Sequence, residues 1–274
     1  MEFIFKSCYY IDFSGMNYSV IPDAWKYFLN EAGAIFRFTG RFFKIGFKPA
    51  YEFRELLKQC FYIGYKSLPL VGITAFIMGL VITIQSRPTL ASFGAEAWLP
   101  KMVSVSLVRE IAPVITALIC AGKIGSSIGA ELGSMKVTEQ IDAMEVSGTN
   151  PFKYLVVTRV MAATLMVPIL AVFADTISLY GGFLGANMHG VLSWDLYWSQ
   201  VFETLAYSDI LPSVIKTFFF GFAIGIIGCY KGYYSQKGTE GVGQSANSAV
   251  VVSSLLVFII DLIAVQIIDI LNFT

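Results

Sequence analysis

The chain has 274 residues, of which 56% are hydrophobic and 14% are charged, and its formal net charge is zero. Soluble domains carry roughly a quarter charged residues, so this composition excludes an ordinary soluble protein. A neutral net charge gives no reason to expect a nucleic-acid partner. Apolar segments of about 20 residues recur along the sequence. They predict an all-α polytopic membrane protein.

The N-terminal part precedes the first predicted span. Residues 1–22 show no clear hydrophobic period and form a predicted extension that is poorly ordered and lacks the features of a signal peptide. Residues 23–66 predict interfacial or elbow helices. The basic and aromatic stripes of the first of these helices contain Arg37, Arg41, Lys44, Lys48, Phe36, Phe43 and Phe47. We expect this helix to lie in the membrane interface, with packing on a protein partner as the alternative.

Residues 67–271 form the predicted membrane domain, which has five spans. We place these at about 67–86, 102–130, 154–187, 210–230 and 243–271. Lys and Arg residues concentrate before the first span and in the loops that follow the second and fourth spans, whereas residues 188–212 contain none. Because positively charged loops stay in the cytoplasm, this pattern predicts a cytoplasmic N-terminus and a C-terminus on the outer side.

A short polar segment separates the second and third predicted spans. We predict one helix over residues 134–148, with Val137, Ile141, Met144 and Gly148 on a narrow apolar stripe and charged residues off it. The helix is too short to span a membrane, but its polar face can contact a soluble protein and its stripe can pack in a groove. A solvated loop helix without a partner is the alternative.

Three stretches of this sequence resemble the MlaE (YrbE) family of ABC-transporter permeases. They are GAELGSMKVTEQIDAMEVSGTNPFKYLVVTRVMA, the preceding LVREIAPVITALICAGKIGSSIGAELGSM, and the late SSLLVFIIDLIAV. The resemblance covers about residues 50–270. It implies five spans with an N-terminal interfacial helix, and a homodimer in the bacterial inner membrane whose C-termini are periplasmic.

The resemblance also implies a function. The family moves glycerophospholipids or similar lipids between membranes, with an MCE-domain protein on the outer side and a cytoplasmic ABC ATPase that holds the ATP and Mg²⁺. It implies that residues 134–148 form the coupling helix that sits in a groove of the ATPase. The implied coupling residues are Lys136, Glu139, Gln140, Ala143, Met144, Glu145 and Gly148.

Charged residues inside spans cost at least about 2.5–3.5 kcal/mol each on insertion scales, so each needs a partner or a use. We hypothesise that Arg109 and Lys216 face the dimer cavity and contact the phosphate of a lipid, with Glu110 orienting Arg109. An ion pair that only fixes packing, or a Lys216 that snorkels outward, is the alternative. We expect Asp175 and Asp261 to have structural roles, as protonated or paired carboxyl groups.

The sequence contains no catalytic site that we recognise. It has no GxxxxGK[ST] loop, so ATP hydrolysis is expected in a partner subunit and no cofactor is expected in this chain. The four scattered cysteines predict neither a disulfide framework nor a metal site. A secondary carrier that uses intramembrane carboxylates, and a membrane scaffold that transports nothing, remain as alternative functions.

Overall fold

The computed structural model of the chain is helical. It describes residues 23–46, 52–188, 193–236 and 238–272, and no strand occurs in these ranges. This confirms the predicted all-α fold class.

The chain divides into two units, Met1–Arg41 and Phe42–Thr274. Helix α1, Asp23–Gly46, occupies the described part of the first unit and ends in the second. It agrees with the helical period seen in the sequence, while its position in the membrane interface stays a prediction. The predicted extension at residues 1–22 lies outside the described residues, as do Phe47 and Lys48.

The second unit contains helices α2 to α11. Their bounds are α2 Phe53–Ile63, α3 Leu68–Ser92, α4 Leu99–Ser106, α5 Ala112–Cys120, α6 Ser126–Val137, α7 Gln140–Val146, α8 Thr158–Asn187, α9 Trp194–Thr204, α10 Tyr207–Tyr233 and α11 Thr239–Asn272. Three wider π-helical turns, Leu107–Ile111, Ala121–Gly125 and Phe152–Val157, lie between α4 and α5, between α5 and α6, and before α8.

Five helical stretches of the described chain are long and apolar enough to cross a membrane, which confirms the predicted count. They are the first span Phe53–Ser92, the second Glu96–Val137, the third Phe152–Asn187, the fourth Tyr207–Tyr233 and the fifth Thr239–Ile270. All five are longer than predicted, and the first two differ most. Pro88, just past the predicted end of the first span at residue 86, lies inside α3, because losing one backbone donor does not stop the helix from continuing to Ser92.

The first and third spans cross at very short range. A Cβ atom on Gly79 would meet the carbonyl oxygen of Ser178, and one on Gly181 would meet the carbonyl oxygen of Phe76. In lipid the hydrophobic effect does not drive helices together. Small residues stabilise their association instead, because they allow the backbones to pack closely. The glycines of the third span therefore form a helix interface.

The segment between the third and fourth spans is more ordered than the loop predicted there. It contains α9, where Tyr197 is 1% exposed and donates its hydroxyl to the Leu179 carbonyl oxygen at 3.1 Å. Burial raises the pKa of the Tyr197 hydroxyl, so it remains a neutral donor at physiological pH. This side of the membrane domain is called the α9 end below, and the opposite side, which carries α7, the α7 end.

Candidate functional site

A buried lysine joins three spans near the α9 end. Lys216 of the fourth span is 2% exposed, and its Nζ donates to Glu110 Oε2 at 2.7 Å and to Asp261 Oδ1 at 2.9 Å. Glu110 belongs to the second span and Asp261 to the fifth. The cost of burying the ammonium is offset only because both carboxylates accept hydrogen bonds from it. This three-residue cluster ties the second, fourth and fifth spans together.

Arg109 lies beside this cluster and lines a cavity. Its Nε is 3.0 Å from Asp209 Oδ1, and its side chain is 43% exposed. These two residues, with Glu110 and Asp269, line a cavity of about 280 Å³. A guanidinium has five N–H donors, so a contact through Nε leaves both terminal nitrogens able to bind an anionic group.

The local backbone explains how these adjacent charges reach different partners. Arg109 and Glu110 lie in the π-helical turn Leu107–Ile111, just before Pro113. In a regular α-helix Pro113 could not donate to the Arg109 carbonyl, and its ring would press against that carbonyl. The wider turn relieves this conflict, and such turns are frequent at functional sites.

The structure pairs the charged residues differently from our hypothesis. The expected orientation of Arg109 by Glu110 is wrong, because Glu110 binds Lys216 and Arg109 binds Asp209. Lys216 does not snorkel either, since its ammonium is buried between two carboxylates. In this conformation Arg109 is open to the cavity and Lys216 is not. Asp261 is paired with Lys216, which is one of the two states that we expected for it.

Asp175 has a different environment in the middle of the third span. Its Oδ1 is buried and has no hydrogen-bond partner within the described residues. A buried polar group without a partner costs free energy, and a charged one costs more. We expected this carboxyl group to be either protonated or paired. No pairing partner is seen in the described part of the chain.

The polar segment at the α7 end is not the single helix that we predicted over residues 134–148. Helix α6 carries the second span to Val137, and α7 covers only Gln140–Val146. Between them Glu139 has a left-handed backbone with φ 58°. This conformation cannot continue a right-handed helix. The apolar stripe runs across the break, so periodicity could not reveal it.

Helix α7 has one buried side chain, and most of its other residues are exposed. Ile141 is 1% exposed, whereas Val146 is 91% exposed. Lys136 Nζ binds Asp142 Oδ1 at 2.8 Å and so bridges the break between α6 and α7. The predicted coupling residues that are exposed are Glu139, Gln140, Ala143, Glu145 and Gly148, and those that are partly buried are Lys136 and Met144.

The end of α7 is set by local hydrogen bonds. Gly148 has a positive φ of 80°, which glycine adopts without steric cost. The Thr149 amide then donates to the Met144 carbonyl at 3.1 Å. Asn150 accepts the Lys153 amide through Oδ1 at 3.2 Å and so starts the third span. These contacts hold α7 as a short projecting helix.

Comparison with known proteins identifies the family. The sequence model described as Permease MlaE matches residues 56–267, most of the chain. The chain belongs to the MlaE permease family. Among its relatives, a probable ABC transporter permease protein of Rickettsia typhi is 42% identical over 212 residues, which cover 77% of this chain and 82% of the relative.

Two further relatives of this MlaE permease are less similar to it. A probable ABC transporter permease protein of Synechocystis is 37% identical, covering 82% of this chain and 86% of the relative. The intermembrane phospholipid transport system permease protein MlaE of Haemophilus influenzae is 35% identical, covering 77% of this chain and 82% of the relative. The chain is thus a multi-pass membrane permease subunit and not the catalytic subunit of a transporter.

Sequence reasoning about this MlaE permease missed two ion-pair partners. Arg159 is 2% exposed and joins Glu131 Oε1 through Nη2 at 2.8 Å, which links the third and second spans at the α7 end. Asp209, the partner of Arg109, was also missed. The sequence held a signal for the first pair, because Glu131 and Arg159 lie at similar distances from the α7 ends of their spans. It held none for the second pair, because Asp209 is at the start of the fourth span and Arg109 is well inside the second.

Proposed function

We propose that this chain is the permease subunit of an ABC transporter that moves phospholipids or similar lipids between membranes. A separate cytoplasmic ATPase, which holds the ATP and Mg²⁺, drives the transport through α7. The observation that carries the proposal is the pair of sites at opposite ends of one membrane domain: an exposed projecting helix and a cavity with an available arginine. The name of the Haemophilus influenzae relative supports phospholipid as the substrate class.

The proposed ATPase contact is the open surface of α7 and the residue that precedes it. Glu139, Gln140 and Ala143 are exposed and can enter a groove of a soluble partner. The Arg159–Glu131 pair and the Lys136–Asp142 pair connect this surface to the second and third spans. A displacement of α7 can therefore be passed to the second and third spans through these two ion pairs.

The proposed lipid contact is Arg109 in the cavity at the α9 end. A guanidinium suits a phosphate because its planar fork donates two parallel hydrogen bonds. Asp209 holds the guanidinium through Nε and leaves the terminal nitrogens for the lipid. Lys216 joins the phosphate only in a conformation in which it leaves Glu110 or Asp261.

We also propose that the permease works as a homodimer in the bacterial inner membrane, with an MCE-domain protein at the α9 end. In the apolar window of the fifth span only 11% of residues are buried, so this helix has a wide surface for a second copy. Lys and Arg are concentrated at the α7 end, which supports a cytoplasmic location for α7.

Ala143→Arg tests this function, because Ala143 is exposed and a large side chain there blocks a groove without disturbing the fold. The complex of permease, ATPase and MCE protein is reconstituted in lipid nanodiscs, and ATP hydrolysis and lipid transfer are measured. We expect the variant to lose ATPase binding and to reduce lipid transfer by about tenfold or more, equivalent to about 1.4 kcal/mol of coupling.

Ala32→Arg is the matched control, because Ala32 is exposed on α1, which the proposal assigns to neither the ATPase nor the MCE protein. It is expected to keep ATPase binding and transfer. Transfer without any ATPase indicates a secondary carrier instead. An ATPase that binds α7 but does not respond to lipid indicates a scaffold, and either result contradicts the proposal.

A further inference from the structure

A second cavity, of about 440 Å³, lies at the α7 end between the start of the first span and the end of the second. It is separate from the cavity that Arg109 lines. Charged and hydroxyl side chains dominate its polar lining, namely Lys58, Lys66, Lys123, Ser67, Ser127 and Glu131. The function proposed above makes no use of it.

The cavity carries surplus positive charge. Three lysines line it, and one of them, Lys58, pairs with Glu55 at 3.8 Å. The one acidic lining residue, Glu131, is already bound to Arg159 at 2.8 Å, so Lys66 and Lys123 carry the surplus charge. The Lys66 ammonium lies 3.8 Å from the centre of the Tyr62 ring, and Lys123 donates to the Lys66 backbone carbonyl. Within the described residues no carboxylate lies within 4.0 Å of either of these two ammonium groups. The cavity therefore favours an anion.

A residue that lines the cavity has a buried hydroxyl without a hydrogen-bond partner, and this favours a ligand-binding role for the cavity. Ser67 is 1% exposed, and its Oγ has no hydrogen-bond partner in the part of the chain that the structure describes. Leaving such a group unpaired costs roughly 1–3 kcal/mol, and a rotation of the Ser67 side chain toward the cavity would let a ligand oxygen recover this cost. Lys123 lies in the π-helical turn Ala121–Gly125, and turns of this kind frequently mark functional sites.

We propose that this cavity binds the phosphate group of a phospholipid in the leaflet at the α7 end. Lys66 and Lys123 bind the phosphate oxygens, and Ser67 donates its hydroxyl to one of them. The exposed ring of Tyr62 lines the cavity, and the exposed rings of Phe61 and Tyr65 are close to it in sequence, on the stretch of helix that leads into the first span. Aromatic side chains of this kind favour the headgroup level of a membrane.

This site lies at the opposite end of the spans from Arg109 and does not depend on transport. The same chemistry would accept inorganic phosphate, so the test must separate the two sources. Native mass spectrometry of the purified full-length protein in detergent measures the binding of phosphatidylglycerol, of dioleoylglycerol, which has no phosphate, and of inorganic phosphate. The Arg109→Gln background removes any contribution from the cavity at the α9 end.

Lys66→Gln combined with Lys123→Gln is expected to weaken phosphatidylglycerol binding by about tenfold or more, because two charge-assisted hydrogen bonds are lost. Lys101→Gln combined with Lys231→Gln removes the same charge from residues that do not line the cavity, and this variant is expected to bind as the parent does. Dioleoylglycerol binding is expected to be equal in all proteins. Millimolar inorganic phosphate is expected not to displace the lipid.

Ser67→Ala provides a second test in case the double lysine variant unfolds. It removes one hydroxyl without changing charge or size greatly, and we expect a loss of about threefold or more in phosphatidylglycerol affinity. Equal affinity in the parent and in both variants overturns the proposal. Displacement by inorganic phosphate also overturns it, because the site then belongs to a soluble anion.

Discussion

Burial separates the roles of two basic residues that look alike in the sequence. Lys216 is 2% exposed and has two carboxylate partners, whereas the Arg109 side chain is 43% exposed and lines a cavity. Removing one member of a buried ion pair leaves an uncompensated charge, which is more damaging than losing an exposed pair. Lys216 is therefore expected to hold the fold and Arg109 to bind the substrate.

Lys216→Met tests the first role. The change leaves Glu110 and Asp261 without their shared cation, so we expect the free energy of unfolding to fall by about 3–5 kcal/mol. The measurement is unfolding of the purified permease by SDS titration. Lys101→Met is the control, since its partner Glu203 is exposed, and its effect is expected to stay below about 1 kcal/mol. Equal losses in the two variants contradict a buried structural cluster.

Arg109→Gln tests the second role. We expect the free energy of unfolding to fall less than in Lys216→Met, because Asp209, although only 13% exposed, keeps the hydrogen bond that its Oδ2 accepts from the Ala206 amide. Lipid transfer by the assembled complex is expected to fall by about tenfold or more, because charge-assisted bonds to a phosphate are lost. Arg109→Lys is expected to keep part of the activity, and Lys101→Gln all of it. Full transfer by the glutamine variant in a correctly assembled complex rules out the headgroup contact.

Regular elements of this fold could be predicted from the sequence, and their irregular parts could not. The five spans followed from apolar length, because the bilayer sets that length. The break at Glu139 interrupts a continuous apolar stripe, and the turn before Pro113 depends on how a helix absorbs a missing hydrogen bond. The partners of Lys216 were also beyond the sequence, because three spans must first be packed to bring it near Glu110 and Asp261.

The permease has a polar site at each end of its membrane domain. The α7 end carries the projecting helix α7, and the α9 end carries the Arg109 cavity. Energy from a soluble ATPase can reach the cavity only if α7 lies in the cytoplasm. The distribution of Lys and Arg predicts this orientation, since positively charged loops resist translocation.

Cysteine labelling tests the orientation directly. Val146→Cys in α7 and Tyr207→Cys at the α9 end place thiols at positions that are 91% and 92% exposed, so both react when they are accessible. We expect a membrane-impermeant maleimide to label the cysteine at position 207 in intact spheroplasts, and the one at position 146 only after lysis. The parent chain gives the background from its own cysteines. Labelling at position 146 in intact spheroplasts places α7 outside, where no cytoplasmic ATPase can drive the permease.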